Sequence, residues 1–228
     1  MSDPQMNQQQ SKHDVGMDIS KLRQEYKFAP LKRQNMPADP FQQFQAWFQQ
    51  ACDSDILEPN AASLATVDAE NRPALRTVLL KYFDERGFVF FTNLASAKAE
   101  HIATNANVAL MFLWSVFGRQ VVIRGTAGKL QTQEVMRYFL TRPRGSQIGA
   151  WVSVQSQVIS SRSLLAAKFD EMKRKFANRE VPVPSFWGGY RVMPVEMEFW
   201  QGQPDRLHDR LLYTRESEDK WKIARLQP

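Results

Sequence analysis

A chain of 228 residues, 43% hydrophobic and 11% aromatic, can bury the core of one domain or at most two small ones. Its formal charge is +6, it has one cysteine and three histidines, and no apolar run approaches the ~20 residues that cross a bilayer. An intrachain disulfide is excluded, a thiolate or imidazole metal cluster is not expected, and any redox chemistry needs an organic cofactor.

The polar start, Met1 to Asp14, lacks the apolar centre of a secretory signal, so the expected location is the cytoplasm. Residues 1–18, rich in Gln, Ser and Asp, read as a tail, and a single domain is expected over 19–228. Asp39-Pro40 offers an N-cap and a proline at the first helical position, and Phe41, Phe44, Trp47, Phe48 and Ala51 follow at helical spacing. Cys52 falls on the apolar side of that helix, where buried packing is expected.

From Ala62 the pattern changes to β-rich runs at 62–67, 74–83, 88–92, 108–114 and 120–130, separated by turn-forming pieces. Helices are predicted over 96–105, 132–141, 146–152 and 160–176, each opened by a hydroxyl residue suited to capping. Three further strands are predicted at 190–200, 208–215 and 221–226. Closely spaced strands imply antiparallel pairing, and helices set apart from them imply an α+β barrel or sandwich. There is no Gly-rich dinucleotide fingerprint and no phosphate loop of the nucleoside-triphosphatase type.

Positive charge concentrates between Lys129 and Arg179, ten Lys or Arg against three acids, which suits either nucleic acid or small phosphorylated molecules. Four constellations sharpen this. Arg76-Thr-Val-Leu-Leu-Lys81 is an apolar strand with a base at each end; five residues apart, the two bases face opposite sides, to two anions or simply to solvent. Phe91-Thr92-Asn93 leads to Lys98 at a helix start, where free amides and an amine can receive a phosphate. Tyr138 and Arg142 lie one helical turn apart and Ser146 follows at the next helix start, so three groups can converge on one phosphate. Near the end, Arg206, His208 and Arg210 alternate beside Trp200 and on an extended backbone would share one face, a ligand surface or a solvated strand edge.

Taken with Arg142-Pro-Arg-Gly-Ser-Gln-Ile-Gly-Ala-Trp151, Pro184-Ser-Phe-Trp-Gly-Gly189, Phe199-Trp-Gln-Gly and the closing Trp221 to Pro228, these segments resemble the pyridoxamine 5'-phosphate oxidase family from about Leu22 onward. The resemblance implies an FMN-binding split β-barrel of antiparallel strands with peripheral helices, working as a homodimer with the flavin between subunits. It implies oxidation of pyridoxamine or pyridoxine 5'-phosphate to pyridoxal 5'-phosphate, with electrons passed to O2 and hydrogen peroxide released.

By motif, Arg76, Thr77, Val78, Leu79, Leu80 and Lys81 would line the FMN, together with Phe91, Thr92, Lys98, Gln120, Gln155, Ser156, Trp200 and Arg210. Lys81, Tyr138, Arg142 and Ser146 would hold the substrate phosphate. Arg206 and His208 would lie over the substrate ring as the catalytic pair, the acid or base role of His208 left open. Arg23 and Tyr26 would belong to a lid over residues 19–30. Ala97 stands where relatives often carry a second base, and Phe91 where they can carry Tyr, departures that put FMN affinity in question. Neither a metal, nor nucleic acid, nor a membrane is expected as partner. The competing readings are another split-barrel role, such as flavin reduction or non-catalytic flavin or haem binding, and a nucleic-acid module stacking bases on Trp151 and Phe169.

Overall fold

The computed structural model describes residues 19, 21–22, 25–152 and 155–228. Helix α1 (Pro40–Cys52) opens as its sequence predicts: the Asp39 carboxylate accepts the Phe41 amide at 2.9 Å and Pro40 takes the first turn. Its apolar stripe, Phe41, Phe44, Trp47 and Ala51, is buried. Cys52, the last residue of α1, is exposed rather than buried, because the apolar face ends one residue earlier at Ala51.

The strands are β1 (Ala61–Val67), β2 (Pro73–Asp84), β3 (Gly87–Asn93), β4 (Asn107–Trp114), β5 (Arg119–Lys129), β6 (Trp187–Gln201), β7 (Asp209–Ser217) and β8 (Lys220–Leu226). All pair antiparallel, in the order β3-β2-β1-β4-β5-β6-β7-β8. A further pairing of β3 with β6 closes the first six into a barrel. The 15-residue β6 makes this possible by dividing one edge: Trp187–Val192 pairs with β3 and Glu196–Gln201 with β7, while β5 runs along its other edge. The two halves meet at a bulge where Gly125 faces Pro194; a Cβ on Gly125 would lie 2.0 Å from the Met193 carbonyl oxygen, so glycine is required.

Leu64, Leu110, Phe112, Val121, Ile123 and Phe199 fill the barrel, and α1 lays Phe44 edge-on against Phe83, Phe88 and Phe112. Outside it lie α2 (Ala97–Thr104), α3 (Thr132–Thr141), α4 (Arg144–Val152) and α5 (Arg162–Lys175). Val135, Phe139, Ile148, Phe176, Val181 and Trp187 form a second cluster under α3 and α4.

Of the expected hydroxyl caps only that of α5 has a counterpart, one residue past the predicted start at 160: Ser161 accepts the Leu164 amide. Ser96 donates its hydroxyl to the Asn93 carbonyl instead; α3 follows Gln131 with no side-chain cap; and α4 begins before Ser146, at Arg144, just after Pro143. Strand β7 starts at Asp209, so Arg206 and His208 precede it and do not alternate along it with Arg210.

Candidate active site

Two groups of predicted site residues are distinguishable. The first lines a cleft of about 770 Å³ between β2, β3, the start of α2 and the α3–α4 junction: Arg76, Thr77, Val78, Leu79, Lys81, Phe91, Thr92, Lys98, Tyr138, Arg142, Ser146, Gln155 and Ser156. No acidic side chain is among its lining residues. Arg76 and Lys81 share this cleft although five residues of regular strand would separate their faces. Consecutive residues of β2, Arg76 to Leu79, line the cleft as well, so it is bounded by both faces of the strand, and Lys81 stands at a bulge between Leu80 and Tyr82. Leu80 turns its side chain into the core, and its amide and carbonyl are taken by the Asn60 carbonyl and side-chain amide, so the cleft is lined without it.

At one end of the cleft the buried Lys98 ammonium donates to Gln155 Oε1 at 2.8 Å, Thr92 Oγ1 at 3.1 Å and Ser96 Oγ at 3.2 Å. Those acceptors are all neutral. Burial, and after it the nearby Arg76 charge, lower its pKa from 10.5 to about 8. Arg76 itself is anchored, Nη1 donating to the Leu64 and Ala74 carbonyls and to Thr66 Oγ1. A buried cation without a carboxylate, beside a helix start, is a site built for an anion.

At the other end, Arg142 lies over the Trp187 ring, 4.9 Å from its centre, and its Nη1 is buried with no hydrogen-bond partner. Burial lowers the guanidinium pKa, opposed by Tyr138. Tyr138 stacks on Phe91 at 4.1 Å, and Phe91 on Trp187 at 5.2 Å, so three parallel rings set the height of the Tyr138 hydroxyl. The orphaned guanidinium nitrogen, the hydroxyl, Ser146 and Lys81 line the same cleft, a set of donors that suits a second anion. Both ends of the cleft therefore fit phosphates, as a phosphorylated flavin beside a phosphorylated substrate requires.

The second group lies elsewhere. Gln120, Trp200 and Arg210 occupy one row across β5, β6 and β7, and none lines the cleft. Arg210 makes a two-pronged ion pair with the buried Glu198, at 2.7 and 3.1 Å. Beside them a 3-10 turn, Pro204–Arg206, places Asp205 and Arg206 in left-handed backbone with φ 55° and 61°, leaving the Arg206 side chain exposed. The Gln203 amide donates to His208 Nδ1 at 3.1 Å, which leaves the proton of the neutral ring on Nε2.

Tyr26 stands edge-on to both Trp200 and His208, at 5.7 Å from each, over Gly118 and Gly202, whose missing side chains leave room for it. Of the lid expected over 19–30, Arg23 lies outside the described residues.

Sequence reasoning gave Trp187 no role, although it sits in a recognised motif; nothing local indicates that it floors Arg142. The proposed base-stacking pair is otherwise engaged: Trp151 donates Nε1 to the Pro182 carbonyl and packs on Phe176, and Phe169 is half-buried in the second cluster. A larger hollow of about 840 Å³, walled by Leu130, Val135, Trp151 and Val181, contains none of the predicted site residues. Among the described residues no group of acidic, histidine or cysteine side chains could hold a metal, and no helix is long and apolar enough to cross a membrane.

Comparison with known proteins agrees with this geometry. Residues 48–176 match the family model described as pyridoxamine 5'-phosphate oxidase, and residues 187–228 match the pyridoxine 5'-phosphate oxidase C-terminal dimerisation region. A pyridoxine/pyridoxamine 5'-phosphate oxidase of Rippkaea orientalis (strain PCC 8801 / RF-1) is 60% identical over 93% of this chain and all of its own length. One of Escherichia coli (strain SMS-3-5 / SECEC) is 53% identical over 96% of this chain and likewise all of its own. The crystal structure of PhzG from Burkholderia lata 383, in complex with tetrahydrophenazine-1-carboxylic acid, superposes with a TM-score of 0.83 at 29% identity, covering 90% of this chain and 100% of that one. A pyridoxamine 5'-phosphate oxidase-related, FMN-binding protein of Nostoc punctiforme PCC 73102 shares the fold at a TM-score of 0.67 and 16% identity, covering 83% and 98%. By both family models and by near full-length identity above one half, the chain belongs to the pyridoxine/pyridoxamine 5'-phosphate oxidase family.

Proposed function

We propose that this chain is a pyridoxal 5'-phosphate synthase: it oxidises pyridoxamine and pyridoxine 5'-phosphates in a site made by two copies of itself. The observation that carries the reading is the acid-free cleft with an anion site at each end, Lys98 at one and the orphaned Arg142 at the other.

Bound FMN would supply the hydride acceptor for substrate C4' and a route for the electrons to O2, with hydrogen peroxide as the second product. The chain supplies binding and orientation. Lys98, Thr92, Gln155 and Ser156 would hold the flavin phosphate, with Arg76 as a fixed background charge and Thr77, Val78 and Leu79 along the β2 edge of the cofactor. Lys81, Tyr138, Arg142 and Ser146 would hold the substrate phosphate and thereby fix where C4' lies. Arg206 would place a cation against the substrate ring, and His208, with its proton on Nε2, would act as a donor toward it. Tyr26, packed on Trp200 and His208, would close over the ring and exclude water.

Gln120, Trp200, Arg206, His208 and Arg210 do not line the cleft of their own chain, since they belong with the half of β6 that pairs with β7 and not with the half that pairs with β3 beside the cleft. Directly opposed residues of antiparallel strands share a face, so Leu113, Gln120, Trp200 and Arg210 lie on the same outer surface as Thr77, Met111 and Glu198. That surface carries Leu75 and Leu113, 69% and 58% exposed. A two-fold pairing through it would bring the second group of one copy to the cleft of the other, and the match of residues 187–228 to a dimerisation region supports this.

The test is to purify the protein, record its visible spectrum, and follow pyridoxal 5'-phosphate and peroxide after adding pyridoxamine 5'-phosphate in air. A yellow protein forming both is expected. A yellow protein forming neither would overturn the oxidase assignment while leaving a flavin-binding split barrel.

A further inference from the structure

Arg191, on β6 and only 9% exposed, joins two elements outside the cleft. Its Nη1 donates to Asp84 Oδ1 at 2.6 Å, at the end of β2, and its Nη2 to Glu134 Oε1 at 2.9 Å, in the first turn of α3. The Tyr82 hydroxyl donates to the same Glu134 oxygen at 3.1 Å. Burial alone would raise both carboxyl pKa values. The arginine contacts, with the Tyr82 bond at Glu134, outweigh it and hold both below their usual range, so the network is ionic at neutral pH.

The position of Glu134 gives this network a bearing on the site. Glu134 lies one helical turn before Tyr138, and α3 ends against Arg142. The N-terminal end of α3 has no side-chain cap, so Glu134 tethers it. The far end is held separately, by the Gln147 amide donating to the Phe139 and Arg142 carbonyls at 3.2 and 3.1 Å. Tyr82, the other donor to Glu134, directly follows Lys81. One guanidinium therefore locks the helix bearing Tyr138 and Arg142 against the strand bearing Lys81.

We propose that Arg191 and Glu134 are positioning residues for the substrate phosphate, setting the roll of α3 so that Tyr138 and Arg142 meet the same phosphate as Lys81. This rests on reading Lys81, Tyr138, Arg142 and Ser146 as that phosphate site. With Glu134 released, Gln147 still holds the far end of α3 at Phe139 and Arg142, and the helix rolls about that hold, turning the Tyr138 side chain, while the flavin end of the cleft, built on Lys98, Thr92 and Gln155, stays in place.

The experiment uses the full chain loaded with FMN and starts from the Glu134 side, since Glu134→Ala leaves Arg191 paired with Asp84. Steady-state constants for pyridoxamine 5'-phosphate, competitive inhibition by inorganic phosphate, flavin content and melting temperature are measured. Glu134→Ala is expected to raise KM and the phosphate inhibition constant together by about tenfold, with kcat within about twofold and flavin retained. Glu134→Gln, which keeps an oxygen acceptor for Arg191 and Tyr82, is expected to bring KM back to within about threefold of the parent. Arg86→Ala, which removes the other partner of Asp84 without touching Glu134, is expected to leave KM unchanged.

An unchanged KM in Glu134→Ala, while Arg142→Ala raises it in the same assay, would overturn the positioning role alone. So would a loss of kcat and melting temperature that Glu134→Gln fails to rescue. If Arg142→Ala also left KM unchanged, the phosphate site itself would be wrong and the positioning role would fall with it.

Discussion

On the proposed reading, Arg142 is the side chain on which substrate recognition turns. A guanidinium with one buried, unpartnered nitrogen bears a desolvation cost that a bound phosphate removes, and hydrogen bonds to charged groups contribute about 1.5–3 kcal/mol each. Arg142→Ala is therefore expected to raise KM for pyridoxamine 5'-phosphate by about 10- to 100-fold while flavin stays bound, checked by steady-state kinetics on flavin-quantified protein. Arg206 acts at a different step. Exposed and held in left-handed backbone, it is the cation proposed to lie against the substrate ring, and Arg206→Ala is expected to lower kcat with the flavin spectrum intact. A parental turnover number would remove Arg206 from the site.

On the proposed reading, Lys98 makes cofactor binding depend on pH. Because its folded pKa of about 8 lies below the ordinary 10.5, the charged amine costs the apoprotein stability below about pH 8, and that cost is relieved as pH rises toward 10.5. A flavin phosphate favours the charged amine, so binding above pH 8 requires proton uptake. FMN affinity of the apoprotein, followed by quenching of flavin fluorescence, is expected to weaken steadily from pH 7 to pH 10. A flat profile would show that Lys98 does not meet the phosphate.

At the scale of elements, periodicity and capping located most of the fold, and the exceptions have local causes. The α1 cap was legible because Asp39-Pro40 acts within one turn, and Asp39→Ala is expected to destabilise the protein by about 1 kcal/mol, read as a lower urea midpoint at unchanged slope. The bulge at Lys81 was not legible, since nothing in Leu80-Lys81-Tyr82 announces an extra residue; the partner strand imposes it. Hydroxyl caps failed at Ser96 for a similar reason: that hydroxyl is drawn to the Asn93 carbonyl and the Lys98 amine, contacts specified by tertiary structure. The alternation expected of Arg206, His208 and Arg210 failed because two consecutive left-handed residues, Asp205 and Arg206, interrupt the extended backbone before β7 begins at Asp209.

At the scale of the whole molecule, the barrel followed from strand density and the absence of strand-helix alternation, but the division of the site did not. Spacing alone brought Tyr138, Arg142 and Ser146 together; it could not show that Gln120, Trp200 and Arg210 form a separate row on the outer face, because that depends on β4, β5, β6 and β7 being neighbours. The floor of Trp187 beneath Arg142 and the Arg191 bridge were hidden likewise, each joining residues more than forty positions apart.

The measurement that tests the account most directly is subunit complementation. Arg142→Ala and Arg206→Ala chains, each weak alone, are co-expressed, and pyridoxal 5'-phosphate formation is assayed at low substrate. If one site takes Arg142 from one chain and Arg206 from the other, mixed dimers carry one intact site each, and random pairing restores about a quarter of the parental activity. Activity no higher than the mean of the two variants alone would contradict a site shared between two copies.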